Sequence, residues 1–194
     1  MDRRKNNNWR TRKNVYQFSG DECTISITSK HGNFNTKIDR EDYPRVKAFI
    51  WFVKQTSNGF YVSGTLGSRT SGNGWDIGLH RLITSFEHDI VDHINRDPMD
   101  NRKVNLRPAS ASENCINRKP QKNSKFPGWR GVFCCKSKKN PFFASIQTNG
   151  KIIYLGSYAT PVEAAIAYND AAVKYHGSFA NINDPSLNKD WVNG

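Results

Sequence analysis

Polar and apolar residues alternate along 15–38, with Gly20, Gly32 and Asn33 as punctuation, and this two-residue period predicts short strands. At Asp42-Tyr43-Pro44 the pattern changes. Asp42 can cap a helix, Pro44 stands near its first turn, and Val46, Phe49 and Ile50 share one face, so a short helix is predicted. Trp51-Phe52-Val53 and Phe60-Tyr61-Val62 flank Ser57-Asn58-Gly59, which is a hairpin signal. A Gly/Ser-rich loop from Gly67 to Gly74 follows, and Ile77 to Ile83 reads as a strand or a short helix. From residue 129 the texture is different. Gly131-Val132-Phe133, Phe142 to Ile146 and Ile152 to Gly156 are three β-type runs, separated by Asn140-Pro141 and by the hairpin dipeptide Asn149-Gly150. Residues 160–177 then switch to a helical pattern. Thr160 is the N-cap, Pro161 takes the first position, Glu163 completes a capping box and Gly177 is the stop. Val162, Ala165, Ile166, Ala172 and Val173 form the expected inward, Ala-rich face. Three antiparallel strands with one helix behind them are therefore expected, with Phe142, Phe143, Tyr154 and Tyr158 in the core.

Composition narrows the class. The chain has 194 residues, 36% of them hydrophobic and 12% aromatic, enough for one or two small cores and too much for a wholly disordered chain. No run approaches the roughly 18 consecutive apolar residues of a membrane span. The opening MDRRKNNNWRTRKN has no apolar stretch and does not read as a secretory signal. Cys23, Cys115, Cys134 and Cys135 make no CxxC pair, so neither a disulfide framework nor structural zinc is signalled, and a reducing cytosol is the expected compartment.

Charge adds a location. The formal net charge is +12. Residues 1–13 hold Arg3, Arg4, Lys5, Arg10, Arg12 and Lys13 against Asp2, a net of +5. Residues 115–140 hold Arg118, Lys119, Lys122, Lys125, Arg130, Lys136, Lys138 and Lys139 with no acid, a net of +8. The stretch between them is balanced. Two cationic segments of this density point to phosphate contact, with nucleic acid preferred over a membrane surface.

The chemistry lies between the two segments, in Val91-Asp92-His93-Ile94-Asn95-Arg96-Asp97-Pro98-Met99-Asp100-Asn101-Arg102-Lys103-Val104-Asn105-Leu106-Arg107 and the following Ser110 to Asn114. Hydrolysis of a phosphodiester needs a deprotonated water, charge neutralisation on the phosphate and stabilisation of the leaving oxygen. A histidine is a suitable base near neutral pH, and a hard cation on carboxylate and amide oxygens can serve the phosphate. Asp92 and His93 supply carboxylate and imidazole from one strand end, and Asn114 can return an amide oxygen from a short helix.

The order Asp-His, then Asn-Leu-Arg, then Glu-Asn resembles the HNH endonuclease family, in the Asp-His form of phage intron-type homing nucleases. The resemblance implies a ββα fold around one divalent metal, Mg2+ or Mn2+. It makes His93 the general base, Asp92 and Asn114 the metal ligands, and Asn105 the residue that orients His93 through its backbone or side chain. His80, in Leu79-His80-Arg81-Leu82, also matches that subgroup. It is either a possible neighbour of the active site or a histidine that fixes local structure.

Residues 129–183 resemble the plant ethylene-response-factor type of DNA-binding domain, through Arg130-Gly131-Val132, Leu155-Gly156-Ser157-Tyr158 and Ala164-Ala165-Ile166-Ala167-Tyr168. That resemblance implies a three-stranded sheet laid in the DNA major groove. Phe133, Ser145, Gln147 and Ile152 depart from the plant base-reading positions, so the plant target sequence does not carry over. Candidate contacts are Arg130, Lys136, Lys138, Lys139, Gln147 and Lys151, with lysines on phosphate and Arg130 or Gln147 reading bases.

The expected whole is an α+β chain with a small ββα-metal (HNH) nuclease core, an N-terminal β-rich lobe, and then a three-stranded antiparallel sheet plus one helix. Its expected parts are a basic arm (1–14), a β-rich lobe (15–83), the nuclease core (79–118), a basic linker (119–128), the ethylene-response-factor-like domain (129–183) and a tail (184–194). The expected function is site-recognising, metal-dependent cleavage of double-stranded DNA by a homing-type enzyme. It would act as a monomer in the cytoplasm of a bacterial host, encoded by a phage. The rival readings are a DNA-binding transcriptional regulator without catalysis, an RNA-binding protein, and a zinc-stabilised module.

Overall fold

The computed structural model describes residues 13–66, 75–117 and 129–184. Arg3, Arg4, Arg10 and Arg12 of the basic arm, and Arg118, Lys119, Lys122 and Lys125 of the linker, lie outside the described residues, as does the Gly67 to Gly74 loop. The fold is mixed α+β, with several small antiparallel sheets and short helices, in two units, Met1–Ala109 and Ser110–Gly194.

The first unit begins with the expected strands, β1 (Val15–Ser19), β2 (Glu22–Ser29) and β3 (Gly32–Asp39), in the antiparallel order β1-β2-β3. Alternation along β2 turns Cys23, Ile25 and Ile27 into the core. The short helix α1 (Tyr43–Val46) has Pro44 in its first turn, where a missing N–H costs nothing. The Trp51 indole N–H donates to the Val46 carbonyl (2.9 Å), satisfying one carbonyl left open at that helix end. β4 (Trp51–Thr56) and β5 (Gly59–Leu66) form the expected hairpin, and β6 (Trp75–Gly78) completes that sheet. The Ile77 to Ile83 stretch turns out to be both of its alternatives, since β6 runs straight into α2 (Leu79–Ile83). Trp51, Val62, Leu79 and Ile83 join the β2 residues in one hydrophobic core. A two-stranded antiparallel hairpin follows, β7 (Val91–His93) with β8 (Leu106–Pro108), and Leu106 and Met99 pack against the same core.

The second unit starts with α3 (Ala111–Ile116), whose capping box is complete. The Ser110 hydroxyl accepts from Glu113 N–H, and the Glu113 carboxylate accepts from Ser110 N–H. β9 (Val132–Cys134), β10 (Phe142–Thr148) and β11 (Lys151–Tyr158) make a sheet in the order β11-β10-β9, backed by α4 (Pro161–His176). Thr160 and Glu163 close a second capping box, and Gly177 ends the helix at φ +54°. The buried face of α4 differs from the expected one. It is Ala164, Ala165, Tyr168, Ala171 and Ala172, whereas Ile166 and Val173 face solvent. Close approach explains the choice of small residues. A Cβ on Gly131 (φ +69°) would lie 2.1 Å from the Tyr168 ring, so helix and sheet meet where alanine and glycine leave room. Among the described residues, no helix is long and apolar enough to cross a membrane.

Candidate active site

Strand β7 carries two adjacent residues whose side chains point to opposite faces, and both are buried. Asp92 faces Arg107 across the β7–β8 ladder. Arg107 donates to one carboxylate oxygen, Oδ2, through both Nε (2.9 Å) and Nη2 (2.7 Å). His93, on the other face, lies within 3.2 Å of Asn101 Oδ1 through its Nε2.

The tautomer of His93 follows from the surroundings of Asn101. The Asn101 amide nitrogen donates to the Pro98 carbonyl (3.0 Å), an atom that can only accept, and to Thr36 Oγ1 (2.9 Å). Oδ1 is therefore the atom that meets the imidazole, and it too can only accept. Nε2 must carry a hydrogen, which makes Nδ1 the basic nitrogen of the neutral ring. Burial pushes the imidazole below its usual range, against the opposing pull of the Asn101 hydrogen bond and of Asp92, Asp97 and Asp100. The ring is thus neutral and able to accept a proton at neutral pH.

Asn105 acts one step away. Its carbonyl accepts from Ile94 N–H (2.9 Å), its Oδ1 accepts from Asn95 N–H (2.9 Å), and its Nδ2 donates to Asn95 Oδ1 (2.9 Å) and to the Asp100 carbonyl (2.7 Å). It fixes the backbone immediately after His93, while Asn101 touches the imidazole. Arg102 grips Asp100 with Nε and Nη2, each at 2.7 Å, and holds that carboxyl below its usual range. The Asn101 contact was not foreseen from sequence. The available signal was a second buried asparagine four residues before Asn105, in a loop too polar for an ordinary core.

His80, on α2, packs its ring against His93 with centroids 5.4 Å apart and planes at 71°. Tyr61 of β5 lies 6.4 Å from each ring. Gly78 makes this fit possible, because a Cβ there would lie 2.7 Å from His80 Cε1. Burial first, then His93 and Arg81, pushes the His80 pKa from 6.5 to about 4. An unfolded chain takes up this proton near 6.5 and the folded one only near 4, so His80 favours folding fully above 6.5 and progressively less as pH falls through that window. The expected loss is about 3 kcal/mol, from the shift at 1.36 kcal/mol per pH unit. His80→Phe keeps the ring and removes the titration, so its melting temperature should fall less than the wild type's between pH 6.5 and 4. Parallel melting curves would show that His80 does not titrate as a buried group.

The carboxylate that the sequence motif offers a hard divalent cation is that of Asp92. Among the described residues, no group of three or more His, Cys, Asp or Glu side chains gathers to hold a metal. That donor set suits a cation which keeps most of its water and takes one or two carboxylates plus a substrate phosphate, as Mg2+ does, rather than zinc. Asn114 lies in the second unit, on α3, one residue beyond the Glu113 of the capping box.

In the second unit the exposed face of the sheet is unusual. Phe133 stacks on Phe143 (5.1 Å, 21°), with Tyr154 6.2 Å from Phe143. Tyr154 is 61% exposed and Ile152 74%, so Phe143 and Tyr154 do not join the core as expected, whereas Phe142 and Tyr158 pack against it. The two-residue alternation along β10 is the reason: Phe142, Ala144 and Ile146 face the helix side, and Phe143, Ser145 and Gln147 the other. Lys136, Lys138 and Lys139, all exposed, sit in the β9–β10 loop, and Lys151 sits at the opposite end of the sheet beside the β10–β11 turn. Arg130 is engaged locally. Asn183 brackets its backbone, accepting from its N–H (2.6 Å) and donating to its carbonyl (2.9 Å), and its guanidinium hydrogen-bonds Tyr168.

Over 150 residues, 74% of this chain and 71% of the relative, the sequence is 29% identical to a protein of Acanthamoeba polyphaga mimivirus named as an uncharacterized HNH endonuclease. No family model matches the chain, and no solved structure does.

Proposed function

We propose that the chain is a metal-dependent DNA endonuclease of the HNH type, and that its homing-type organisation joins a cleaving unit to a DNA-docking sheet. The observation that carries this reading is the buried Asp92-His93 pair on β7, with His93 held through Nε2 so that Nδ1 is the base. The name of the mimiviral relative supports the nuclease class.

The metal, when bound, neutralises charge on the phosphate and the leaving oxygen. Asp92 would supply its carboxylate ligand, in the position where Arg107 holds that carboxylate, and Asn114 would be the amide donor by the order of the motif. Mg2+ or Mn2+ fits this oxygen donor set. His93 Nδ1 takes a proton from the attacking water, and the Nε2–Asn101 bond keeps the ring from turning as charge develops on it. His80 and Tyr61 wall the imidazole on its other sides. The sheet of the second unit docks on double-stranded DNA, with Lys136, Lys138, Lys139 and Lys151 on phosphates and Gln147, Phe133 and Tyr154 on the surface between them. Arg3, Arg4, Arg10, Arg12, Arg118, Lys119, Lys122 and Lys125 extend the phosphate grip.

The test is incubation of the full chain with genomic duplex DNA and Mg2+, followed by mapping of the ends. Cuts at recurring sites with Mg2+ and none in EDTA are expected. Binding without cuts in any divalent metal would favour the regulator reading, and cuts that persist in EDTA would remove the metal role of Asp92 and Asn114.

A further inference from the structure

Residues of the N-terminal sheet reach the candidate base through one intermediate, Asn101. β3 is an edge strand of its sheet, and the 97–101 segment covers that edge as a short parallel rung. Lys37 N–H donates to the Met99 carbonyl (2.8 Å), and Asn101 N–H donates to the Lys37 carbonyl (2.8 Å). Two residues along, Lys103 N–H donates to Asp39 Oδ2 (2.7 Å). Next to the rung lies Thr36, fully buried, whose hydroxyl donates to the Met99 carbonyl (2.7 Å) and accepts from Asn101 Nδ2 (2.9 Å).

We infer that Thr36 is a positioning residue for the nuclease reaction, acting through Asn101 to set the tautomer of His93. This rests on the reading of His93 as the base. Thr36 has a single hydroxyl hydrogen, and the Met99 carbonyl takes it. The hydroxyl can therefore meet Asn101 only as an acceptor, which calls for the amide nitrogen on that side. The Pro98 carbonyl makes the same demand from a second direction. Rotating the amide by half a turn would set Oδ1 against the Pro98 carbonyl and would draw the Thr36 hydrogen away from Met99, two hydrogen bonds lost at residues that are buried, where an unmade hydrogen bond is costly. With the amide locked, Oδ1 faces His93, Nε2 carries the hydrogen and Nδ1 is the basic nitrogen of the neutral ring. The N-terminal sheet thus supplies one of the two constraints on the chemical state of a residue 57 positions later in the chain.

Replacing Thr36 by valine keeps the branched shape and removes both hydrogen-bonding roles. One constraint, Pro98, remains, so the expected result is partial. Above its titration range, His93 should pass from an essentially pure Nε2–H tautomer to a mixture, seen in the two-bond 15N–1H correlations of its imidazole in the metal-free full chain. Single-turnover kcat should fall about tenfold with KM for DNA unchanged, because Thr36 touches neither the phosphate nor the sheet of the second unit. Thr36→Ser restores the hydroxyl and should return both readouts to wild type. A Thr36→Val chain with wild-type tautomer and kcat overturns the proposal, as does a Thr36→Ser chain that behaves like Thr36→Val, since packing alone would then be at work. The unsubstituted protein is itself a test that needs no variant: an Nδ1–H tautomer of His93 there overturns the relay. The tautomer is read without turnover, so a chain that cuts no DNA would remove the nuclease reading and leave this measurement standing.

Discussion

His93→Ala abolishes cleavage to within the residual that positioning and the metal provide, a loss of roughly 10²–10⁴-fold, while DNA affinity stays within about twofold of wild type. The size follows from the role. A general base removes the proton in the transition state, and no neighbouring group replaces it, because His80 shares the pocket but is itself pushed to about 4 and packs its ring against His93 and Tyr61. Binding survives because the imidazole is buried and the proposed phosphate contacts are lysines of the second unit. The measurement is single-turnover cleavage with Mg2+, set beside fluorescence-anisotropy binding in EDTA. His93→Gln should behave similarly, which guards against collapse around the empty site. Cleavage at the wild-type rate by either variant would remove His93 from the mechanism, whatever the relative's name suggests.

How far the sequence could carry this reading depends on the range over which each feature is determined. Capping boxes are local, so Ser110 with Glu113 and Thr160 with Glu163 were readable, and so was the Asn149-Gly150 turn, with both residues at positive φ. Asp92 and His93 stood out because their chemistry is carried by two adjacent residues. Asn101 and Asn105 were harder to tell apart. Both are polar, both are buried and both lie in the same loop, and the difference between gripping the ring and gripping the backbone arises only when that loop closes on β3. Nothing near Thr36 announces that a loop residue 65 positions away, Asn101, will need its hydroxyl. The Asp92–Arg107 pair becomes evident only once the register that sets them opposite each other is known. On α4, ranking residues by hydrophobicity favoured Ile166 and Val173, whereas packing against a sheet that includes Gly131 favoured the alanines.

Removing the four described lysines of the second unit's sheet, as Lys136→Ala, Lys138→Ala, Lys139→Ala and Lys151→Ala together, should weaken binding to duplex DNA by roughly 10²–10³-fold at about 0.1 M salt. It should also lower the slope of log affinity against log salt by about 3–4, near 0.9 for each phosphate that is no longer neutralised. The geometry makes the prediction specific. Three of these lysines crowd the β9–β10 loop at one end of the sheet and the fourth begins β11 at the other, so a strand of phosphates crossing the sheet meets cations at both ends. Between them lie Phe133, Phe143, Tyr154 and Ile152, apolar groups that a monomeric surface rarely gathers on one exposed face without a partner. The two kinds of interaction separate in the same assay. Tyr154→Ala should reduce affinity and leave the salt slope where it was, because a ring displaces no counterions. A quadruple variant whose slope matches wild type would mean that these lysines are merely solvated. The phosphate grip would then belong to the arm and the linker, where Arg3, Arg4, Arg10, Arg12, Arg118, Lys119, Lys122 and Lys125 carry the rest of the excess charge.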